Sequence, residues 1–299
     1  MKPSTPPWEL LSAFLAVMRG GSLSAAARSL GVAQPTVRRQ VEALEADLGA
    51  VLFTRSKAGL LPTEAAVAAL AYVEAMASNA DALARSVSGS ARSERGTVRV
   101  TCSEVIGVEV LPPMLVTLRA KHPHLAVELV ATNRRDDLLR READVAVRMV
   151  RPTQSALLAA RVGSLPLGLF AHEAYLAAHP APTRARDLTA GHALVGADRD
   201  RGMIDALRAK GVEVDPGSFA LRTDSDLAQL AAVRAGLGIG VCQLAVARKT
   251  PALRRVLPSL AFALEVWVVM HEDLANVRRV RAVFDHLKTA LKAHVSATP

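Results

Sequence analysis

The spacing of apolar residues predicts that the first 92 positions are helical throughout. Apolar side chains recur at helical spacing over Trp8–Met18. Ser22 is suited to cap a second helix over Leu23–Leu30, which Gly31 ends. A third helix is predicted from about Gln34 to Leu48. The turn of about three residues between the second and third helices makes the pair a helix-turn-helix.

One face of the third helix is predicted to be buried and the other free. Its apolar residues fall within about 60° of arc; they are Val37, Val41, Leu44 and Leu48. Residues 49–63 then predict a small β-wing that carries the cations Arg55 and Lys57. A long helix follows from Glu64 to about Ser88. Its apolar residues alternate at spacings of four and three, which predicts a seam for another helix; they are Ala66, Leu70, Val73, Ala77, Ala80, Ala84 and Val87.

A linker over Ser86–Arg95, small and polar in composition, separates this part from a second pattern that starts at Gly96. There, short apolar runs alternate with helical segments. The predicted strands are Thr97–Cys102, Ala126–Ala131, Asp144–Arg148, Leu165–Phe170, Ala193–Gly196, Ile239–Cys242 and Leu264–His271. The predicted helices include one that begins near Pro112 and others at Asp136–Arg141, Asp224–Arg234 and Asn276–Ala293. This alternation implies parallel sheets covered by helices.

Composition narrows the class of protein. The 299 residues suggest about two domains, and 51% hydrophobic with 22% charged residues excludes a disordered chain, a collagen-like repeat and a disulfide scaffold. The two cysteines, Cys102 and Cys242, are too far apart for a metal motif and suit a reducing compartment. With no signal peptide and no membrane-spanning run, we expect a soluble cytoplasmic protein. The net charge of +9 is compatible with nucleic acid, but most of the excess lies after residue 92, so charge alone does not locate a DNA-binding surface.

The chain resembles LysR-type transcriptional regulators in its run SLSAAARSLGVAQPTVRRQVEALEADLGAVLFTRS, followed by LPTEAA. More loosely, HPHLAVEL, READVAVR and RAGLGIGV resemble the effector domain of that family. The resemblance implies an all-α winged helix-turn-helix N-terminal domain, a linker helix that dimerises, and an α/β two-lobed effector domain like type 2 periplasmic binding proteins. The expected boundaries are 1–63 for the DNA-binding domain, 64–92 for the linker helix and hinge, and 93–299 for the effector domain, with lobe I at about 93–163 and 272–299 and lobe II at about 164–271.

Three residues depart from the family pattern. Ala33 stands where a serine commonly caps the recognition helix, and a missing cap costs about 0.5–2 kcal/mol. Arg38 stands where serine is usual and adds a cation near the DNA. Ala66 replaces a usual glycine just after the wing, which favours helix there.

The residues predicted to contact DNA lie mainly in the first two turns of the third helix, the part that enters the major groove in such motifs. We predict base contacts for Gln34 and Arg39, and base or phosphate contacts for Thr36 and Arg38. Additional backbone or groove contacts are predicted for Arg55, Lys57 and Ser24.

A ligand site is expected where strands of the sheet end, because open parallel sheets bind ligands at their carboxyl edge. The candidates are Thr101, Ser103, Asn133, Arg148 and Thr223. Ser103 and Thr223 resemble the effector-contacting hydroxyls of the family, and Arg148 suits a carboxylate, so an anionic effector is one hypothesis. The alternative is that these residues are helix caps and surface ion pairs.

We therefore predict a ligand-responsive DNA-binding regulator that binds double-stranded DNA as a homodimer or homotetramer. No set of nucleophile, base and orienting group emerges, so we expect neither an enzyme nor a cofactor. His122 and His124 flank a proline in a turn and do not predict a metal site. The alternatives are a small-molecule-binding protein or enzyme of the periplasmic-binding-protein fold, and a nonspecific architectural DNA-binding protein.

Overall fold

The computed structural model divides into two compact units. It describes residues 5–56, 59–87, 93–133, 143–154 and 156–297. The first unit contains the described residues up to Ala84, and the second contains those from Arg85 onwards. None of the helices in these described ranges is both long and apolar enough to cross a membrane.

The first unit is a helix-turn-helix with a two-stranded wing. Its elements are α1 Trp8–Gly20, α2 Leu23–Leu30, α3 Gln34–Leu48, β1 Phe53–Ser56, β2 Gly59–Pro62 and α4 Glu64–Val87, with β1 and β2 antiparallel. The predicted cap is confirmed, because Ser22 Oγ accepts the Ala25 N–H at 3.1 Å. Gly31 ends α2 with φ of 67°, a left-handed conformation that glycine adopts without strain. Local signals therefore place the turn that sets α3 against α2.

Two apolar clusters hold the first unit together. In one, the small side chains Ala26 and Ala27 of α2 pack with Val37 and Val41 of α3, which lets the two helices approach closely. In the other, residues of α1, α3, the wing and α4 meet; its buried members are Leu11, Phe14, Leu15, Leu44, Leu52, Ala66 and Val73. One prediction is wrong: Leu48 is 44% exposed, because it is the last residue of α3 and lies beyond the core.

Part of the apolar seam predicted along α4 is buried within the first unit itself. Ala66 and Val73 are buried in the cluster that contains Leu11 and Phe14 of α1, and Leu70 and Ala77 pack against it. This part of the seam therefore packs against α1 of the same unit, whereas Ala80, further along the seam, is exposed. The side chains of Ala84 and Val87 lie outside the described residues.

The second unit is built around one mixed sheet. Its strands are β3 Gly96–Cys102, β4 Leu125–Ala131, β5 Val145–Arg148, β6 Leu157–His172, β7 Leu194–Gly196, β8 Phe219–Arg222, β9 Gly240–Gln243, β10 Leu253–Val256 and β11 Phe262–His271. Its helices are α5 Leu111–Lys121, α6 Glu173–Ala178, α7 Gly202–Arg208, α8 Asp226–Arg234, α9 Leu244–Ala247 and α10 Arg278–Ser296, and a π-helical turn at Ile106–Val110 precedes α5. The order in the main sheet is β10-β6-β11-β5-β3-β4, and β9 also pairs with β6.

The prediction of parallel sheets holds for only some of the strands. The strands β3, β4 and β5 are parallel, as are β7 and β8, but β6 and β11 pair antiparallel with each other and with their neighbours. The strand β11 lies between β5 and β6 and runs opposite to both of them, which makes the sheet mixed. The helix predicted at Asp136–Arg141 lies outside the described residues.

The two long strands β6 and β11 change partners along their length. The carboxyl-terminal half of β11 also pairs with β5, whereas the carboxyl-terminal half of β6 also pairs with β9 and β10. The change occurs at a β-bulge, where Val266 faces Gly163 and Trp267 faces Arg161. Gly163 has φ of 151°, and a Cβ atom there would lie 2.7 Å from Val295 Cγ1. This position therefore requires glycine.

Candidate functional sites

The free face of α3 presents the predicted reading residues to solvent. Val37, Val41 and Leu44 are buried on the opposite side of the helix. The exposed side chains are Gln34, Thr36, Arg38 and Arg39. They occupy the first two turns of α3, where two cations stand beside a hydroxyl and an amide. Such a surface can donate hydrogen bonds to base edges and to phosphate oxygens.

Two further elements flank this face. Ser24 is exposed in the first turn of α2. On the wing, Arg55 pairs through its backbone with Leu60, but its side chain and the whole of Lys57 lie outside the described residues. The contacts predicted for Ser24, Arg55 and Lys57 therefore stay predictions.

The first turn of α3 has no side-chain cap. Ala33 is the N-cap residue, and only its carbonyl takes part, accepting the N–H groups of Thr36 at 3.0 Å and Val37 at 3.3 Å. Ala33 is exposed and its φ and ψ lie in the extended region that N-cap residues adopt.

Replacing Ala33 with serine is expected to stabilise the protein by about 0.5–2 kcal/mol, because the new hydroxyl can accept a free N–H of the first turn. Urea unfolding of the isolated protein measures this change. Ala33→Val is the matched control, since it adds bulk without an acceptor. Equal stability of the serine and valine variants would contradict the assignment of Ala33 as an uncapped N-cap.

A partly buried pair of hydrogen bonds ties α3 to the wing. Glu45 Oε1 accepts the backbone N–H groups of Leu52 at 2.6 Å and Phe53 at 3.1 Å. At the other end of the wing, Thr63 Oγ1 donates to the Val51 carbonyl at 2.8 Å and accepts the Ala66 N–H at 3.2 Å. One carboxylate and one hydroxyl therefore fix where the wing leaves α3 and where it enters α4.

Glu45→Ala is expected to destabilise the protein by roughly 1–3 kcal/mol, because two partly buried N–H groups lose their shared acceptor. Glu45→Gln keeps an oxygen at the same place and should recover most of that loss. Thermal unfolding of the two variants compares them directly. If both variants lost equal stability, the charge of Glu45 rather than its acceptor geometry would matter.

In the second unit, the carboxyl ends of the parallel strands bring several candidate ligand residues together. Arg148 Nη2 donates to Thr101 Oγ1 at 3.4 Å across the ends of β5 and β3. Asn133 Oδ1, just after β4, accepts the Glu104 N–H at 3.2 Å. Thr101 is 1% exposed, so its hydroxyl serves the interior, whereas Arg148 is half-buried and Asn133 is exposed.

The remaining two candidates occupy different settings. Ser103 is half-buried and follows β3 directly. Thr223 lies after β8, where its Oγ1 accepts the Ser225 N–H at 3.2 Å, and Ser225 in turn caps α8 by accepting the Ala228 N–H. Thr223 thus stabilises the turn before α8. This is a local structural role, of the kind that the alternative to a ligand site expects.

Acidic residues surround the start of α8. Asp224 accepts three backbone N–H groups and the Arg199 guanidinium, and these bonds lower its pKa to about 2. Asp226 behaves in the opposite way. Loss of hydration, followed by the charges of Glu104 and Asp200, raises its pKa to about 6. The feature of the sequence that could have pointed to this acidic cluster is the run Asp224-Ser225-Asp226, which stands where a helix begins.

Both cysteines are buried and unpaired as disulfides. Burial raises the pKa of the Cys102 thiol to about 11 and that of the Cys242 thiol to about 12. At neutral pH neither forms much thiolate, the species that reacts with oxidants.

Family models match both units of the chain. The model for the bacterial regulatory helix-turn-helix protein, lysR family, matches residues 8–67. The model for the LysR substrate binding domain matches residues 91–292. Together the two matches cover the helix-turn-helix, the wing and nearly all of the mixed sheet.

Relatives and solved structures agree with these matches. The chain is 31% identical over 175 residues to an HTH-type transcriptional regulator of Xanthomonas campestris pv. campestris, covering 58% of this chain and 51% of that protein. It is 32% identical over 181 residues to the Mau operon transcriptional activator of Paracoccus denitrificans, covering 58% and 64%. The alignments thus span about half to two thirds of these relatives.

The fold is also found in CbnR, a LysR family transcriptional regulator. The crystal structure of CbnR has a TM-score of 0.70 at 22% identity, covering 95% of this chain and 99% of that one. Its complex with target DNA has a TM-score of 0.69, covering 96% and 100%. At this identity the likeness shows a shared fold.

Proposed function

Since the chain belongs to the LysR family of bacterial helix-turn-helix regulators, we propose that it binds an imperfect palindrome in double-stranded DNA as a homo-oligomer and changes DNA bending in response to a small molecule. The observation that carries this proposal is the exposed polar face of α3, with Arg38 and Arg39 opposite a buried apolar stripe. An α-helix fits into the major groove of DNA. The amide, hydroxyl and two guanidinium groups on this face of α3 can form hydrogen bonds with base edges and with phosphates.

The exposed face of α4 supports assembly into a homodimer or homotetramer. Apart from the residues packed on α1, this helix exposes a stripe that spans about 80° of arc; it contains Ala65, Ala68, Tyr72, Met76 and Asn79. Tyr72 is 76% exposed and Met76 is 40% exposed. Paired α4 helices would place two α3 helices on the half-sites of a palindrome.

We further propose that the second unit binds the effector between two lobes, with lobe I at about 93–163 and 272–299 and lobe II at about 164–271. The bulge at Gly163 supports a hinge there, since β11 pairs with β5 only on one side of it and β6 pairs with β9 and β10 only on the other. Arg148, Ser103, Asn133 and Thr223 are the proposed contacts for the effector. An anionic group would be held by Arg148, and Arg148→Ala should then weaken its binding.

The test of the proposed function is footprinting of the intergenic DNA beside the gene, at two salt concentrations. A protected, salt-sensitive region with two related half-sites is the expected result. Protection without sequence preference would favour the architectural alternative. A folded protein that binds small molecules but no DNA would favour a binding protein or enzyme of the periplasmic-binding-protein fold.

A further inference from the structure

The start of α8 is occupied by a carboxylate from another part of the second unit. Glu104 follows β3, yet its Oε2 accepts the Ser225 hydroxyl at 2.8 Å and the Leu227 N–H at 3.4 Å. Ser225 is the N-cap of α8, and Leu227 lies in its first turn. Carboxylates are favoured at this end of a helix because the N–H groups there lack partners within the helix.

The other end of α8 is also held by a glutamate, in a different way. Glu109, in the π-helical turn, forms an ion pair with Arg234 at the end of α8 at 2.6 Å. Between the two ends, Leu230 and Val233 of α8 belong to the same apolar cluster as residues of the π-helical turn. The Glu109 pair joins opposite charges beside this apolar contact, whereas the partners of Glu104 are a neutral hydroxyl and an amide.

We propose that Glu104 is an intramolecular latch: it occupies the N-terminus of α8 and holds the end of β3 against α8. Lobe movement then requires this carboxylate to leave the helix. An effector that opens the lobes must break the contact, and one that closes them must fit around it. This regulatory role rests on the proposed effector response, but the latch itself can be tested without an effector.

The surroundings of Glu104 make the latch sensitive to pH. Asp226 of α8, together with Asp200 and Asp224 in the segments that precede α8, adds negative charge, while Arg199 neutralises Asp224. Asn133 bridges the group, because it accepts the Glu104 N–H and also bonds to the Asp226 side chain.

The sign of the effect follows from the raised pKa of Asp226, about 6. Above this pH the ionised Asp226 repels Glu104 and loosens the latch. Below it, protonation of Asp226 removes the like charge and the latch tightens. The latch should therefore be stronger near pH 5.5 than near pH 8.

Distances between two spin labels in the full-length protein test the proposal. Cysteines introduced by Ala120→Cys on α5 and Ala209→Cys at the end of α7 are exposed, while both native thiols are buried. Dilution with unlabelled protein removes distances between subunits. Wild type should give a narrow distance distribution that broadens with rising pH around a midpoint near pH 6.

Variants separate the latch from general loosening. Glu104→Ala should broaden the distribution at every pH, and Ser225→Ala should do so in part. Asp226→Asn should keep it narrow from pH 5.5 to 8, and the matched surface control Glu128→Gln should behave as wild type. A folded Glu104→Ala protein with wild-type distances at all pH values would overturn the latch. If the wild-type protein gave no footprint on DNA but its spin-label distances changed with pH and in the variants as expected, the proposed function would be overturned. The latch would still be supported.

Discussion

Replacing Arg39 with alanine is expected to weaken binding to the specific DNA site by roughly 5- to 150-fold and to relax base preference at one position of each half-site, because a bidentate arginine–guanine contact is worth about 1–3 kcal/mol. Arg39 is exposed in the second turn of α3, on the face away from Val37 and Val41. Binding to a set of sites with single base changes measures both effects.

Two comparisons make this result specific. Arg38→Ala, if Arg38 holds phosphate, should weaken all sites by a similar factor and lower the salt slope by about 1. Arg119→Ala, an exposed arginine of the second unit, is the matched control and should leave DNA binding unchanged. Uniform weakening by Arg39→Ala across all sites would instead assign Arg39 to phosphate.

Sequence reasoning predicted the first unit closely because its signals are local. The predicted bounds of α2 and α3 agree with the structure, since the Ser22 cap and the Gly31 turn act within a few residues of each other. The prediction that Leu48 is buried was wrong, because burial at the end of a helix depends on which other elements pack there. The mixed sheet was missed because strand direction depends on pairing between β6 and β11, about 100 residues apart in sequence.

The candidate sites show the same division between local and distant information. The exposed face of α3 followed from helical spacing, and the roles of its residues in DNA binding stay predictions. The ligand candidates at the ends of β3, β4 and β5 were predicted because parallel strands share an edge, and their role in binding stays a prediction. The contact between Glu104 and Ser225 joins residues 121 positions apart, and no spacing rule reports it. The same holds for the ion pair between Glu109 and Arg234.

Replacing Tyr72 with aspartate is expected to convert the protein to monomers and to lower its affinity for a two-half-site DNA by about 100-fold or more. Tyr72 is the most exposed large apolar side chain of α4 among those described, and it lies in the middle of the exposed stripe. A charge there would be buried without a partner in a helix pair, which strongly disfavours association. The loss in affinity follows because two linked half-site contacts gain about 10²–10⁴ over one.

Sedimentation of the protein and titration of DNA with one or two half-sites test this prediction together. Affinity for a single half-site should stay unchanged, since Tyr72 lies away from α3 in sequence and in the core contacts of the unit. Val67→Asp is the matched control, because Val67 is 59% exposed on the same helix but outside the stripe. If Val67→Asp yields monomers and Tyr72→Asp does not, the pairing face of α4 is rotated from the one proposed. If neither does, the second unit alone maintains the oligomer, and the spacing of the two α3 helices is then set by that unit rather than by α4.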